Sequence, residues 1–302
     1  MNSQRVSPGQ RFRRNSPCPV CDGHDQSPKG SRCWGYVSRD GLYVHCTRAD
    51  SAADLPLGPD GAYAHFLPGP CKCGGDHDPG VCPPPPEEDT PTRRARRIDW
   101  LNRLATESGP ITSGDPVDLY LRSRGIKIDF DSYPDDLKFH PSLTYVGGGG
   151  RSRNYPAMLA VIRNTDGRPV GFHRTYLTLF GEKSPVSSPK KMTPLIGAAN
   201  SIQLYVPGSR LAVAEGIETA LSFQILSGIP TWSCLSSIGI ERFTPPSGIE
   251  EIIVAGDYDP AGVRAAENLI RRLTRQKIKA QAIFPDEPGT DWNDELREAI
   301  NG

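Results

Sequence analysis

The sequence predicts a chain of α/β class: a C-terminal, mostly parallel (Rossmann-like) sheet with helices on both faces, preceded by a small α+β subdomain and an N-terminal cysteine-rich module. Three observations predict it. Beyond residue 205, short apolar runs of β-type alternate with helix-like segments. An Asp-Gly turn at Asp166-Gly167 joins two β-type runs in the middle of the chain. Seven of the eight cysteines fall before residue 83. With 302 residues there is length for roughly two or three compact units, and with 30 Pro and 31 Gly the 36% of hydrophobic residues must be concentrated rather than spread.

The N-terminal module comes first. Cys18-Pro-Val-Cys21 is a tight knuckle that presents two thiolates to one ion, and a tetrahedral site needs a second pair. CWGYVSRDGLYVHC reads as a hairpin with Arg39-Asp40-Gly41 as its turn, which sets Cys33 opposite Cys46. Cys18, Cys21, Cys33 and Cys46 are therefore expected to bind Zn²⁺ as a zinc ribbon over residues 1–55, with His24 and His45 as reserve ligands. Trp34, Tyr36 and Tyr43 lie on the same hairpin and could stack on bases. A second set, His65, Cys71, Cys73, His77 and Cys82, offers five candidates for the four places of a possible second zinc. It lies in residues 56–92, a polar segment that ends in Pro83 to Pro86 and reads as an extended linker.

Residues 93–204 form the basic α+β subdomain. RRARRIDWLNRLATES places Ile98, Leu101 and Leu104 on one helical face. VDLYLRSRG is a second short helix, capped at Asp115-Pro116 and stopped at Gly125. LKFHP, AMLAVIRN and VGFHRTYLT are strands. The run Gly147 to Gly150 lacks the spacing of a phosphate-binding loop and reads as a hairpin tip. From Arg93 to Lys191 there are seventeen Lys and Arg against ten Asp and Glu, although the whole chain is neutral. A basic middle beside an acidic end suits a polyanion held next to metal ions.

Residues 205–302 carry the chemistry. RLAVAEG, PTWSCLS, EEIIVAGD and KAQAIFP are strands, and IETALSFQILSG, PAGVRAAENLIRRLTRQ and DWNDELREAI are helices. In open α/β sheets, ligands bind beyond the carboxyl ends of the strands. Glu215, Asp257, Asp259 and Asp291 all fall there. Carboxylates gathered in one place repel unless cations sit between them, and hard oxygen ligands suit Mg²⁺ or Mn²⁺. Asp257, Asp259 and Asp291 are the expected metal ligands. Glu215, on a separate strand, is the expected general acid or base.

AEGIETALS (214–222), AGDYDPAG (255–262) and TDWND (290–294) resemble, in order and spacing, the glutamate, Asp-x-Asp and final acidic motifs of Toprim domains. That fold is shared by bacterial-type primases, type IA and II topoisomerases and some nucleases. With LKFHPSLTYV and YPAMLAVIRNTDGRPVGFHRTYL upstream, the closer resemblance is to primase-like Toprim proteins of phages, plasmids and other mobile elements. The resemblance implies a metal-dependent role for Glu215, Asp257, Asp259 and Asp291, with Asp294 as a further acid. It implies a DNA primase-like nucleotidyltransferase that makes short RNA primers, with single-stranded DNA as template and ribonucleoside triphosphates as substrates. The zinc ribbon would then serve template recognition, and Arg174, Lys190 and Lys191 would bind the triphosphate. Two alternatives are a Toprim nuclease using the same carboxylates and a non-catalytic, zinc-dependent DNA-binding accessory protein. No GxxxxGK[ST] loop is present, so unwinding is expected from a separate replicative helicase. No run of 18 apolar residues and no secretory signal occurs, so no membrane partner is expected and the expected location is cytoplasmic.

Overall fold

The computed structural model describes residues 9–38, 41–48, 50, 55–58, 60–67, 90–129, 132–147 and 152–301. It divides into two compact units, Met1–Arg93 and Arg94–Gly302. Among the described residues, no helix is long and apolar enough to cross a membrane.

The first unit is a three-stranded antiparallel sheet, β1 (Tyr36–Val37), β2 (Tyr43–Cys46) and β3 (Tyr63–Phe66), in that order. The predicted hairpin is β1 and β2. Arg39 and Asp40 of its turn lie outside the described residues, while Gly41 takes the positive φ of 72° that a glycine accepts freely. The third strand departs from the linker expected over 56–92. Tyr63-Ala-His-Phe-Leu67 pairs with β2, with Tyr43 opposite Phe66, and buries His65 and Leu67 completely. Side-chain alternation in a run of only four residues was too short to separate a strand from extended linker. Cys71, Cys73, His77 and Cys82 lie outside the described residues, and the possible second zinc with them.

In the second unit, α1 (Pro91–Glu107) and α2 (Pro116–Ser123) precede an antiparallel sheet of β4 (Leu137–Val146), β5 (Ser152–Arg163), β6 (Pro169–Tyr176) and β7 (Lys190–Met192), in sequential order. Asp115 caps α2, accepting from the Val117 and Asp118 amides, as its position before Pro116 predicts. Strand alternation gives this sheet two different faces. Met158, Ala160 and Ile162 pack towards α2 and the C-terminal domain, whereas Ala157, Leu159, Val161, Phe172 and Tyr176 pack towards Leu101 and Leu104 of α1. Ile98, expected on the buried side of α1, is 36% exposed.

The C-terminal domain holds β8 (Arg210–Ala214), α3 (Ile217–Ser227), β9 (Thr231–Ser233), α4 (Ser237–Arg242), β10 (Glu251–Ala255), α5 (Pro260–Arg275), β11 (Lys279–Ile283) and α6 (Trp292–Asn301). All its strand pairs are parallel, in the order β11-β10-β8-β9. Ala212, Ala214, Ile253 and Ala255 face α3 and α6, while Leu211, Val213, Ile252 and Val254 face α4 and α5. The sheet is covered on both faces, as its near-continuous apolar strands predict. The short helix α4, absent from the sequence reading, starts where the Ser236 hydroxyl accepts from the Gly239 amide.

Candidate metal and nucleotide site

The strand order places the acids. From β8 the chain moves outward to β9, then crosses back to β10 on the other side of β8 and continues to β11. The direction of winding therefore reverses between β8 and β10, which is where an open parallel sheet leaves a crevice at its carboxyl edge. Ala214 and Ala255 are paired neighbours at the ends of these two strands. Glu215 follows the first and Asp257 the second, and the helices after them, α3 and α5, depart on opposite faces.

Asp291 is brought to the same edge by backbone hydrogen bonds between two loops. The Tyr258 amide donates to the Thr290 carbonyl at 3.1 Å and the Gly289 amide to the Tyr258 carbonyl at 2.8 Å. Gly262 allows the first turn of α5 to close on the Asp257 loop, since a Cβ there would lie 2.3 Å from the Asp257 carbonyl oxygen. Two of the acids also have structural duties. Asp259 Oδ1 caps α5 by accepting from the Ala261 and Gly262 amides, and Asp291 Oδ1 accepts from the Asn293 and Asp294 amides at the start of α6. Asp294 in turn accepts from the Asp291 amide at 3.2 Å.

The electrostatics report the crowding. Burial pushes the Asp257 carboxyl up, and Glu215, Asp291 and Asp259 push it further, to about 7. Burial and Asp259 also raise Glu215, against a stabilising hydrogen bond from the Ser237 amide. Asp257 Oδ1 is buried with no hydrogen-bond partner. A buried carboxylate oxygen that no protein donor meets, within electrostatic reach of three further carboxylates, fits a hard divalent cation. The acids are not drawn as close together as the cysteines: among the described residues, the group whose ligand atoms all lie within 4.8 Å of one another is Cys18, Cys21, Cys33 and Cys46. In that group, Cys33 and Cys46 Sγ are 3.8 Å apart and Cys46 and Cys21 Sγ 3.5 Å. Zn–S bonds of about 2.3 Å in tetrahedral geometry set sulfurs about 3.8 Å apart, so the four thiols fit zinc. His24 and His45 stand outside this group. His24 Nδ1 accepts from the Gln26 amide, and His45 pairs with Asp60 at 2.7 Å while stacking on Tyr36.

The three basic residues expected at the triphosphate do not share a face. Lys190 pairs with Thr175 and Lys191 with Arg174 in the β6–β7 register, so strand alternation turns Lys190 towards the C-terminal domain and Arg174 and Lys191 towards α1. Lys190 Nζ binds both carboxylate oxygens of Glu218, at 2.8 and 3.0 Å. Glu218 also accepts from the Tyr120 hydroxyl at 2.5 Å. Burial pushes the Glu218 carboxyl up, but Lys190 and Tyr120 outweigh it and hold the group at about 2. A Cβ on Gly216 would lie 3.8 Å from Glu218 Oε2, which puts this pair beside the Glu215 loop. Lys183 belongs to the same basic group, its ammonium lowered by partial burial, Lys190 and Arg124. His173, on the same face of β6, is pushed down to about 4 by burial and then Lys190, and is neutral near pH 7.

Glu218 was missed in the sequence. The signal was there: α3 is apolar on almost every side, and a lone carboxylate on a helix destined for burial demands a cationic partner. What the sequence could not supply was that partner, 28 residues earlier on another sheet.

Two segments of the chain match known domain families. Residues 210–301 match the Toprim domain family, and residues 95–203 match a domain of unknown function, DUF7146. No curated protein matches the chain. Among solved structures, a DnaG primase catalytic domain bound to single-stranded DNA is 18% identical with a TM-score of 0.45, covering 69% of this chain and 79% of its own. A primase domain from Pseudomonas aeruginosa is 16% identical with a TM-score of 0.43, covering 69% and 76%. The RNA polymerase domain of Mycobacterium tuberculosis primase DnaG is 17% identical with a TM-score of 0.42, covering 70% and 84%.

Proposed function

We propose that the Toprim domain at residues 210–301 is the catalytic part of a primase-like nucleotidyltransferase, which joins ribonucleoside triphosphates into short RNA primers on single-stranded DNA. The observation that carries this reading is the carboxylate set at the winding reversal between β8 and β10, with Asp257 raised to about 7 by burial, Glu215, Asp291 and Asp259. The four-cysteine cluster ahead of a Toprim domain supports it as well.

Asp257, Asp259 and Asp291 would hold Mg²⁺ or Mn²⁺, and such ions, when bound, supply charge neutralisation at the transferring phosphoryl group. In the reaction, a 3′-hydroxyl attacks an α-phosphorus and pyrophosphate leaves. Glu215 takes the hydroxyl proton, a role that suits a carboxylate held above its usual range. Lys190 and Lys183, on the face towards the C-terminal domain, meet the triphosphate, and Glu218 orients Lys190. Cys18, Cys21, Cys33 and Cys46 bind zinc, and the exposed Trp34 and Tyr43 of that module contact template bases. A separate replicative helicase would open the duplex.

The test is primer synthesis on single-stranded DNA with Mg²⁺ or Mn²⁺, comparing the parent with Asp257→Asn. The parent should extend ribonucleotides into new oligomers and the variant should not. Shortening of a labelled strand in the absence of nucleotides would replace this reading with the nuclease one.

A further inference from the structure

Arg174 and Lys191 point away from the carboxylates, into a cavity of about 460 Å³ between α1 and the sheet. That volume lies within the roughly 300–1,000 Å³ common to small-molecule sites. Its walls combine aromatic rings with cations. The Arg174 guanidinium lies 5.7 Å from the centroid of Trp100 and 5.8 Å from that of Tyr176, and Lys191 Nζ lies 3.9 Å over Tyr145. Two guanidinium nitrogens are used internally, one donating to the Tyr176 hydroxyl at 3.1 Å and the other to the Met192 carbonyl at 2.8 Å. Arg174 Nε is buried with no partner. Lys191 donates to the Val146 carbonyl, which leaves N–H groups of the ammonium for another acceptor.

A planar cation close to two rings and fixed by two hydrogen bonds holds its donors in a set plane, and an unmet buried donor is costly unless a ligand satisfies it. The complement of this wall is an anionic acceptor carried next to a flat ring. Charge on the approach has the matching sign, since Arg96 and Arg103, both exposed, stand one helical turn either side of Trp100. The one acid at the rim, Glu107, faces His140 Nε2 at 3.3 Å, and His140 Nδ1 accepts from the Ser142 amide, so the His140 proton lies on Nε2 and points at Glu107.

We infer that this cavity, on the α1 face of the sheet and apart from the carboxylate site, binds a nucleotide unit, with its phosphate against Arg174 and Lys191 and its base against Trp100. The unit could belong to a single strand or be a free nucleoside triphosphate, and the two share the same chemistry.

Tryptophan fluorescence tests it in the full chain carrying Trp34→Leu, which removes the exposed indole of the zinc module and serves as the parent here, titrating a short oligothymidylate in one arm and ATP in the other, without divalent metal. The expected result is quenching by at least one of them, lost in Trp100→Leu. Arg174→Gln and Lys191→Gln, which keep the fluorophore, should each weaken binding about fivefold or more, in line with the worth of one stacked base or charged contact. Quenching that depends on Trp100 in a protein that makes no primers would sink the catalytic reading and leave this inference standing, so the two failures are distinguishable. Thermal melts establish that each variant is folded. Quenching by neither ligand, or quenching that survives in a folded Trp100→Leu, overturns the inference, as does unchanged affinity in both Arg174→Gln and Lys191→Gln.

Discussion

Lys190 on β7 holds both carboxylate oxygens of Glu218 on α3, at 2.8 and 3.0 Å, and so ties the antiparallel sheet to the first turn of a Toprim helix. Glu218 lies two residues beyond Gly216, beside the Glu215 loop, so the strength of the pair bears on both stability and the site.

Replacing Lys190 with Met leaves the buried Glu218 charge with Tyr120 alone. Breaking a buried pair costs about 3–5 kcal/mol, and partial solvent access to Lys190 reduces the expected loss to roughly 1–3 kcal/mol. Urea unfolding of parent and variant measures it. Because the Glu218 carboxyl is held at about 2, below its ordinary 4.5, the pair stabilises the parent fully above pH 4.5. That contribution should fade as pH falls towards 2, and Lys190→Met should lack it.

Asp257 has the opposite sign. Its carboxyl is raised from 3.8 to about 7, so in metal-free buffer the folded state binds the proton more readily than the unfolded chain. Stability of the metal-free protein should rise as pH falls from above 7 towards 4. Asp257→Asn should flatten that slope and stabilise the metal-free protein near pH 8 by roughly 1–2 kcal/mol, after allowance for solvent screening. Magnesium should raise the melting temperature of the parent and leave Asp257→Asn nearly unmoved. Parallel pH slopes for parent and variant would contradict the assignment.

Glu215→Gln keeps size and hydrogen-bonding capacity but cannot accept a proton. If Glu215 manages the proton, the variant should lower the rate of primer synthesis by about 10²–10⁴, with nucleotide affinity little changed. Steady-state kinetics that show a raised KM at unchanged kcat would assign Glu215 to binding instead.

For the first unit, a strong chelator should remove zinc and unfold the sheet of β1 to β3, because a small module of this kind draws much of its folding energy from the metal. The second unit, with its own cores, should remain folded. Cys33→Ser should no longer retain zinc through gel filtration. Far-ultraviolet circular dichroism and metal analysis on the full chain measure both effects.

The periodicity of the last ninety residues was enough to read the parallel sheet, its helices and the strand-end positions of Glu215 and Asp257, because local hydrophobic pattern and strand–helix alternation are properties of the chain itself, while Asp291 reaches that edge only through the hydrogen bonds between its loop and Tyr258. The hairpin was legible too, but its register sets His45 opposite Tyr36, so Cys46 falls opposite Gly35 and Cys33 reaches it from before β1, with the sulfurs 3.8 Å apart. Strand order was a different matter: that β10 lies beside β8, and β9 outside it, depends on long-range pairing that no local window contains. So did the fate of adjacent lysines. Lys190 and Lys191 are chemically alike in sequence, but the pleat of β7 sends one to Glu218 and the other to the Trp100 cavity, since neighbouring strand residues face opposite sides of a sheet.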